Sequence, residues 1–200
     1  MTRKDFELQM DTDKKMTAKI QYPTPSTQNL FLIGMMGSWK STVGRKLAVA
    51  LDLEFIDTDD AIEEVTEMKV ADLFQEFGEE KFREMETAFF VEKAKQHGQL
   101  FSTGGGVVLS AENRNVLQKN GITFLLDASP QTLASRIHNT SKRPLLTDSD
   151  NLEERLQLIW DERHQFYLDS AHHVISTDDL EPPQVLDEIL KILEVSSAEH

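Results

Sequence analysis

Residues 34–42 read GMMGSWKST and lie between a short apolar run, Leu30-Phe31-Leu32-Ile33, and a stretch whose apolar residues recur at helical spacing. Glycines in such a loop let backbone N–H groups turn towards phosphate oxygens. A lysine can reach the β- and γ-phosphates, and a Ser/Thr hydroxyl can bind Mg2+. Gly34, Gly37, Lys40 and Ser41 meet these demands, with Ser38 and Thr42 beside them. The helix that follows adds partial positive charge at its N-terminus. The strict spacing G-x-x-x-x-G-K-[ST] places glycine where this chain has Trp39. Backbone there is often left-handed, which a bulky residue adopts at roughly 1–3 kcal/mol. Either the loop adapts with its indole towards solvent, or nucleotide binding is weakened. A glycine-containing turn without a ligand is the plain alternative.

Other residue types with chemical potential occur downstream. Asp57 and Asp59 follow a short apolar run; as alternating strand-end residues they can face one side, or they can serve as turn and N-cap carboxylates. Gly104, Gly105 and Gly106 permit close approach of backbone to a ligand, or form a flexible turn. Arg83 and Glu86, three apart on one face of a predicted helix, can form an i,i+3 ion pair that fixes the arginine rotamer. Phe74 and Phe82 are helix-face aromatics that fit a core, and Trp160 fits core spacing with Leu156. His172 and His173 would point to opposite faces of a strand, which argues against a shared metal.

The elements that must position these residues alternate. Strands are predicted at 30–33, 54–57, 100–103, 122–127 and 173–176. Helices are predicted from about Lys40, over 61–65, 70–77, 79–96 and 111–120, from an N-cap at Ser129 with Pro130 in the first turn, and over 151–169 and 182–193. This pattern implies a three-layer α/β/α fold around a five-stranded parallel sheet. Ligands then bind at the carboxyl ends of strands, where the loop at 34–42, Asp57, Asp59 and the three glycines lie. Residues 138–150 are polar, without period, and read as a loop. Residues 1–28 read as a flexible extension, 29–194 as one domain and 195–200 as a frayed tail.

Two hundred residues suit one domain with a full core. The formal charge of −14 and the lack of a basic patch argue against nucleic-acid binding. No apolar run is long enough for a membrane span. The absence of cysteine excludes disulfides and fits a reducing cytoplasm.

The ordered segments GMMGSWKSTVGR (34–45), FIDTD (55–59), FGEEKFREME (77–86), STGGGVVL (102–109), RPLL (143–146) and ERHQFY (162–167) resemble those of the shikimate kinase family, small P-loop enzymes related to nucleoside-monophosphate kinases. The resemblance runs from about Asn29 to Leu193. It implies a P-loop kinase fold with a mobile lid, transfer of the ATP γ-phosphoryl to the 3-hydroxyl of shikimate, and Mg2+ as cofactor. It further implies that Asp59 binds the ring hydroxyls and acts as base or orienting group, and that Asp57 with Ser41 holds Mg2+. Arg83 and Arg163 would grip the carboxylate, with the backbone of Gly104, Gly105 and Gly106 near a hydroxyl. Residues 34, 37–42, Arg136 and Arg143 would bind ATP, Arg143 from the lid and Arg136 near adenine unless it is a solvated helix end. Lys40 and Arg143 would stabilise the moving phosphoryl. A cytoplasmic monomer is expected. The alternatives are a gluconate- or nucleotide-type kinase, or a nucleotide-binding paralogue impaired by Trp39.

Overall fold

Every residue of Asn29–Ile33 is buried, so this run can only be a strand covered on both faces. The computed structural model describes residues 28–137, 145 and 151–198. Among them the order is β1 (Asn29–Ile33), α1 (Lys40–Leu51), β2 (Glu54–Asp57), α2 (Thr58–Thr66), α3 (Val70–Lys93), β3 (Gln99–Ser102), α4 (Ala111–Lys119), β4 (Gly121–Asp127), α5 (Pro130–Arg136), α6 (Leu152–Ser170), β5 (His173–Ser176) and α7 (Pro182–Ala198). The sheet is all parallel in the order β2-β3-β1-β4-β5. Because β3 inserts between β1 and β2, the chain diverges at the carboxyl end of β1 and opens a crevice there.

The period-2 alternation of β1 divides the core. Phe31 and Ile33 join Phe101, Leu125, Phe90, Leu117 and Tyr167 on one face. Leu30 and Leu32 join Leu100, Phe124 and Leu126 under Val43 and Leu47 of α1 and Val185 and Ile189 of α7 on the other. The three-layer α/β/α architecture with five parallel strands is thus as the alternation implies. A smaller cluster, Ile62, Leu73 and Phe82, ties α2 to α3 beyond the sheet edge.

Helix ends follow local chemistry. Ser129 accepts from the Thr132 N–H with Pro130 at the first turn, and Asn151 accepts from the N–H groups of Glu153 and Glu154. The break expected between 77 and 79 appears as Gly78, with φ 80° and ψ 166° inside α3. Two expectations need correction. The segment 195–198 continues α7 instead of fraying, since no Gly or Pro interrupts the helical hydrogen bonds after Leu193. Val107–Leu109 forms a 3-10 turn that apolar spacing did not signal. Residues 1–27, and all of 138–150 except Leu145, lie outside the described residues, so the proposed extension and lid do too.

Candidate active site

The loop between β1 and α1 turns on Gly34 and Gly37, at φ 139° and 86°. Trp39 sits at the N-cap of α1 in the left-handed region, φ 67° and ψ 16°, the conformation that makes glycine usual there. Lys40 Nζ donates to the carbonyls of Gly34 and Met35, both at 2.9 Å, and so lies across the loop. Gly34 and Ser38 are buried beneath it.

The indole of Trp39 does not point to solvent, as one sequence expectation had it. It is half-buried against the core face under α1 and α7. The Arg136 guanidinium carbon lies 3.4 Å from its ring centroid. Arg136 is not a solvated helix end either: it donates to the Thr177 carbonyl at 2.5 Å and to Thr177 Oγ1 at 3.0 Å.

Ser41 Oγ donates to Asp57 Oδ2 at 2.6 Å and lies 3.0 Å from Ser102 Oγ. This all-oxygen set suits Mg2+, a hard cation that retains waters. Among the described residues no group of three or more His, Asp or Glu could hold an ion alone, so bound water or phosphate oxygens would complete the shell. Asp57 also accepts from the Asp59 N–H at 3.2 Å, capping α2. The two carboxylates therefore are not alternating strand residues: Asp57 ends β2 and Asp59 is in the first turn of α2. They still line one cavity.

Asp59 is a strongly perturbed carboxyl. Burial, then Glu86 and Asp57, push its pKa up to about 7, against the pull of Lys40 and Arg83. Burial also raises the Glu86 carboxyl, with Arg83 and Arg163 opposing. Arg83 donates to Glu86 Oε2 at 2.8 Å and to Glu79 at 3.1 Å, and lies over the rings of Phe74 and Phe82. Phe82 is thus both core and pocket wall, and Phe74 packs against it. Arg163, from α6, is 3% exposed and donates to the Gly105 carbonyl at 3.3 Å. Glu86 Oε1 and Arg163 Nε are buried without a hydrogen-bond partner among the described residues.

At Gly104 and Gly106 the backbone has no room for a side chain, whereas a Cβ on Gly105 would meet its neighbours at ordinary contact distance. A Cβ on Gly104 would meet Glu86 Oε1 at 2.6 Å and Asp59 Oδ1 at 2.8 Å, and one on Gly106 would overlap the Arg83 guanidinium. Sequence reasoning missed the supports of this segment. The Gly104 N–H donates to Thr58 Oγ1 at 2.9 Å, and the buried Tyr167 hydroxyl donates to the Gly105 carbonyl at 2.5 Å. Burial raises the Tyr167 pKa, so the phenol stays a neutral donor. Thr177 and Ser102 were also missed. Only the burial of polar residues beside loop segments, visible in three dimensions, marks them.

The structure brings Gly37, Trp39, Lys40, Ser41, Thr42, Asp57, Asp59, Arg83, the three glycines, Arg136 and Arg163 around one cavity of about 370 Å3. Arg143 lies outside the described residues. Trp160 is half-buried against the core as expected. His172 Nδ1 accepts from the Thr123 N–H, while His173 stacks on Phe124, so the pair does not converge.

The shikimate kinase family model matches residues 36–194. A shikimate kinase of Vibrio campbellii is 40% identical over 167 residues, 84% of this chain and 96% of the relative. One from Caldanaerobacter subterraneus is 38% identical over 82% of this chain and 95% of its own length. The solved shikimate kinase of Acinetobacter baumannii in complex with shikimate superposes with a TM-score of 0.82 at 32% identity, covering 86% of this chain and 95% of that one. A gluconokinase from Sinorhizobium meliloti shares only the fold, with a TM-score of 0.52 at 16% identity.

Proposed function

The chain belongs to the shikimate kinase family, and from that premise we propose that it transfers the γ-phosphoryl of ATP to the 3-hydroxyl of shikimate. The observation that carries this reading is the carboxylate clamp. Arg83 of α3 and Arg163 of α6 reach the same glycine segment, with Asp59 on the same cavity. An arginine fork pairs a carboxylate bidentately, and the chain's net charge of −14 makes these local cations the anchor for an anionic substrate.

In the reaction, Arg83 and Arg163 fix the ring through its carboxylate, and the backbone at 104–106 meets a ring hydroxyl. Asp59, with a pKa near neutrality, takes or orients the proton of the attacking hydroxyl; in a loose phosphoryl-transfer transition state orientation contributes more than full deprotonation. Lys40 leaves its loop carbonyls for the β- and γ-phosphates. Ser41 and Asp57 would hold Mg2+, which neutralises charge on the phosphates when bound. Arg143 serves as the lid arginine. A chain free of cysteine fits a reducing cytoplasm, and a monomer is the state expected of it there.

Coupled detection of ADP with shikimate and MgATP tests the function. Shikimate-dependent turnover is expected. Only a shikimate-independent background at high enzyme concentration would overturn it.

A further inference from the structure

Trp39 is where this chain departs from the glycine spacing of its loop, and the structure gives the departure a use. The left-handed backbone sets the direction of the indole. An indole has no acceptor with which to cap a helix N-terminus, and the Trp39 side chain makes no capping hydrogen bond. Instead it packs on the core and carries the Arg136 guanidinium at 3.4 Å from its centroid. Arg136 is the last residue of α5, where a long side chain would ordinarily sample many rotamers. Here its plane is fixed twice, by the indole beneath and by the buried Thr177 at its edge. Trp39 and Arg136 line the same cavity as Lys40 and Ser41.

We propose that Trp39 is a positioning residue: it holds the Arg136 guanidinium as a flat shelf on which the base of the nucleotide stacks, so that the bulk at position 39 strengthens nucleotide binding instead of impairing it. This rests on the reading of the chain as an ATP-dependent phosphotransferase. Guanidinium planes stack on aromatic faces, and an indole is the best partner for a cation. A guanidinium layered between indole and base keeps both of its faces occupied. The left-handed strain at position 39 is offset by this contact, which glycine could not make.

Steady-state kinetics and fluorescence of the full chain test it. In Trp39→Gly the KM for ATP should rise about 5- to 30-fold, the size of a partly desolvated cation–π contact, while kcat and the KM for shikimate move less than about twofold. Trp39→Phe should recover most of the loss, because the aromatic face returns. In a Trp160→Phe background Trp39 is the remaining tryptophan, and its emission should change on titration with MgADP. An unchanged ATP KM in Trp39→Gly, a Trp39→Phe variant as impaired as the glycine variant, or emission insensitive to MgADP would each overturn the inference. Failure of the functional reading looks different: no shikimate-dependent ADP release from the wild-type chain, with the fluorescence titration still deciding the role of Trp39.

Discussion

Replacing Asp59 by asparagine should separate what this carboxylate does for the fold from what it does for the reaction. Its carboxyl is raised from 3.8 to about 7, chiefly by burial and then by Glu86 and Asp57. Between those values the folded protein binds the proton that the unfolded chain releases. Stability therefore falls as pH rises through this window, and the loss is complete above about 7. A rise of about 3 in pKa at ~1.4 kcal/mol each bounds the cost near ~4 kcal/mol. Asparagine is neutral at every pH and escapes this cost. Thermal unfolding should thus place Asp59→Asn up to about 8–16 °C above wild type at pH 8, with the gap narrowing to about 40% of that at pH 5. Phosphorylation of shikimate should fall at least ~100-fold in the same variant. In the wild type, kcat/KM should rise with pH through about 7, as the free carboxyl ionises. A Tm gap equal at pH 5 and pH 8 would refute the claim that the fold holds this group neutral. Retained turnover would remove Asp59 from the reaction.

Two further substitutions test the walls of the site. In Gly106→Ala the new methyl overlaps the Arg83 guanidinium and forces it from Glu86, so the KM for shikimate should rise at least ~10-fold and stability drop by about 1–3 kcal/mol, as denaturant titration would read; wild-type values would show that Arg83 has another resting place. Tyr167→Phe removes the hydroxyl from the Gly105 carbonyl and leaves only the longer bond from Arg163. A stability loss of about 1 kcal/mol and a several-fold rise in shikimate KM are expected, and an unaltered KM would mean the glycine segment is rigid without it.

The parallel sheet was legible because alternating runs such as Leu30-Phe31-Leu32-Ile33 can satisfy their burial in few ways. The helix start at Ser129 was legible from local capping chemistry, whereas the cap at Asn151 emerged only with the structure. The site was legible where chemistry sits in contiguous residues, as in the loop at 34–42 and the three glycines. It was not legible where a partner comes from far along the chain. Nothing near Gly105 announces Tyr167, 62 residues away, and nothing near Arg136 announces Thr177. The left-handed backbone of Trp39 was foreseeable from its position in the loop, whereas the resting place of its indole depended on α5, which only the packing brings across.

The carboxylate clamp is the centre of this account, and the methyl ester of shikimate probes it directly. The ester keeps the ring and its hydroxyls and removes the negative charge that Arg83 and Arg163 would pair. With MgATP and product identified by mass spectrometry, shikimate should be phosphorylated and the ester should show kcat/KM lower by at least ~30-fold, the loss expected when the charge-assisted pairing of a carboxylate with two arginines is removed. Equal rates with acid and ester, or preferential phosphorylation of gluconate or a nucleoside monophosphate, would contradict it.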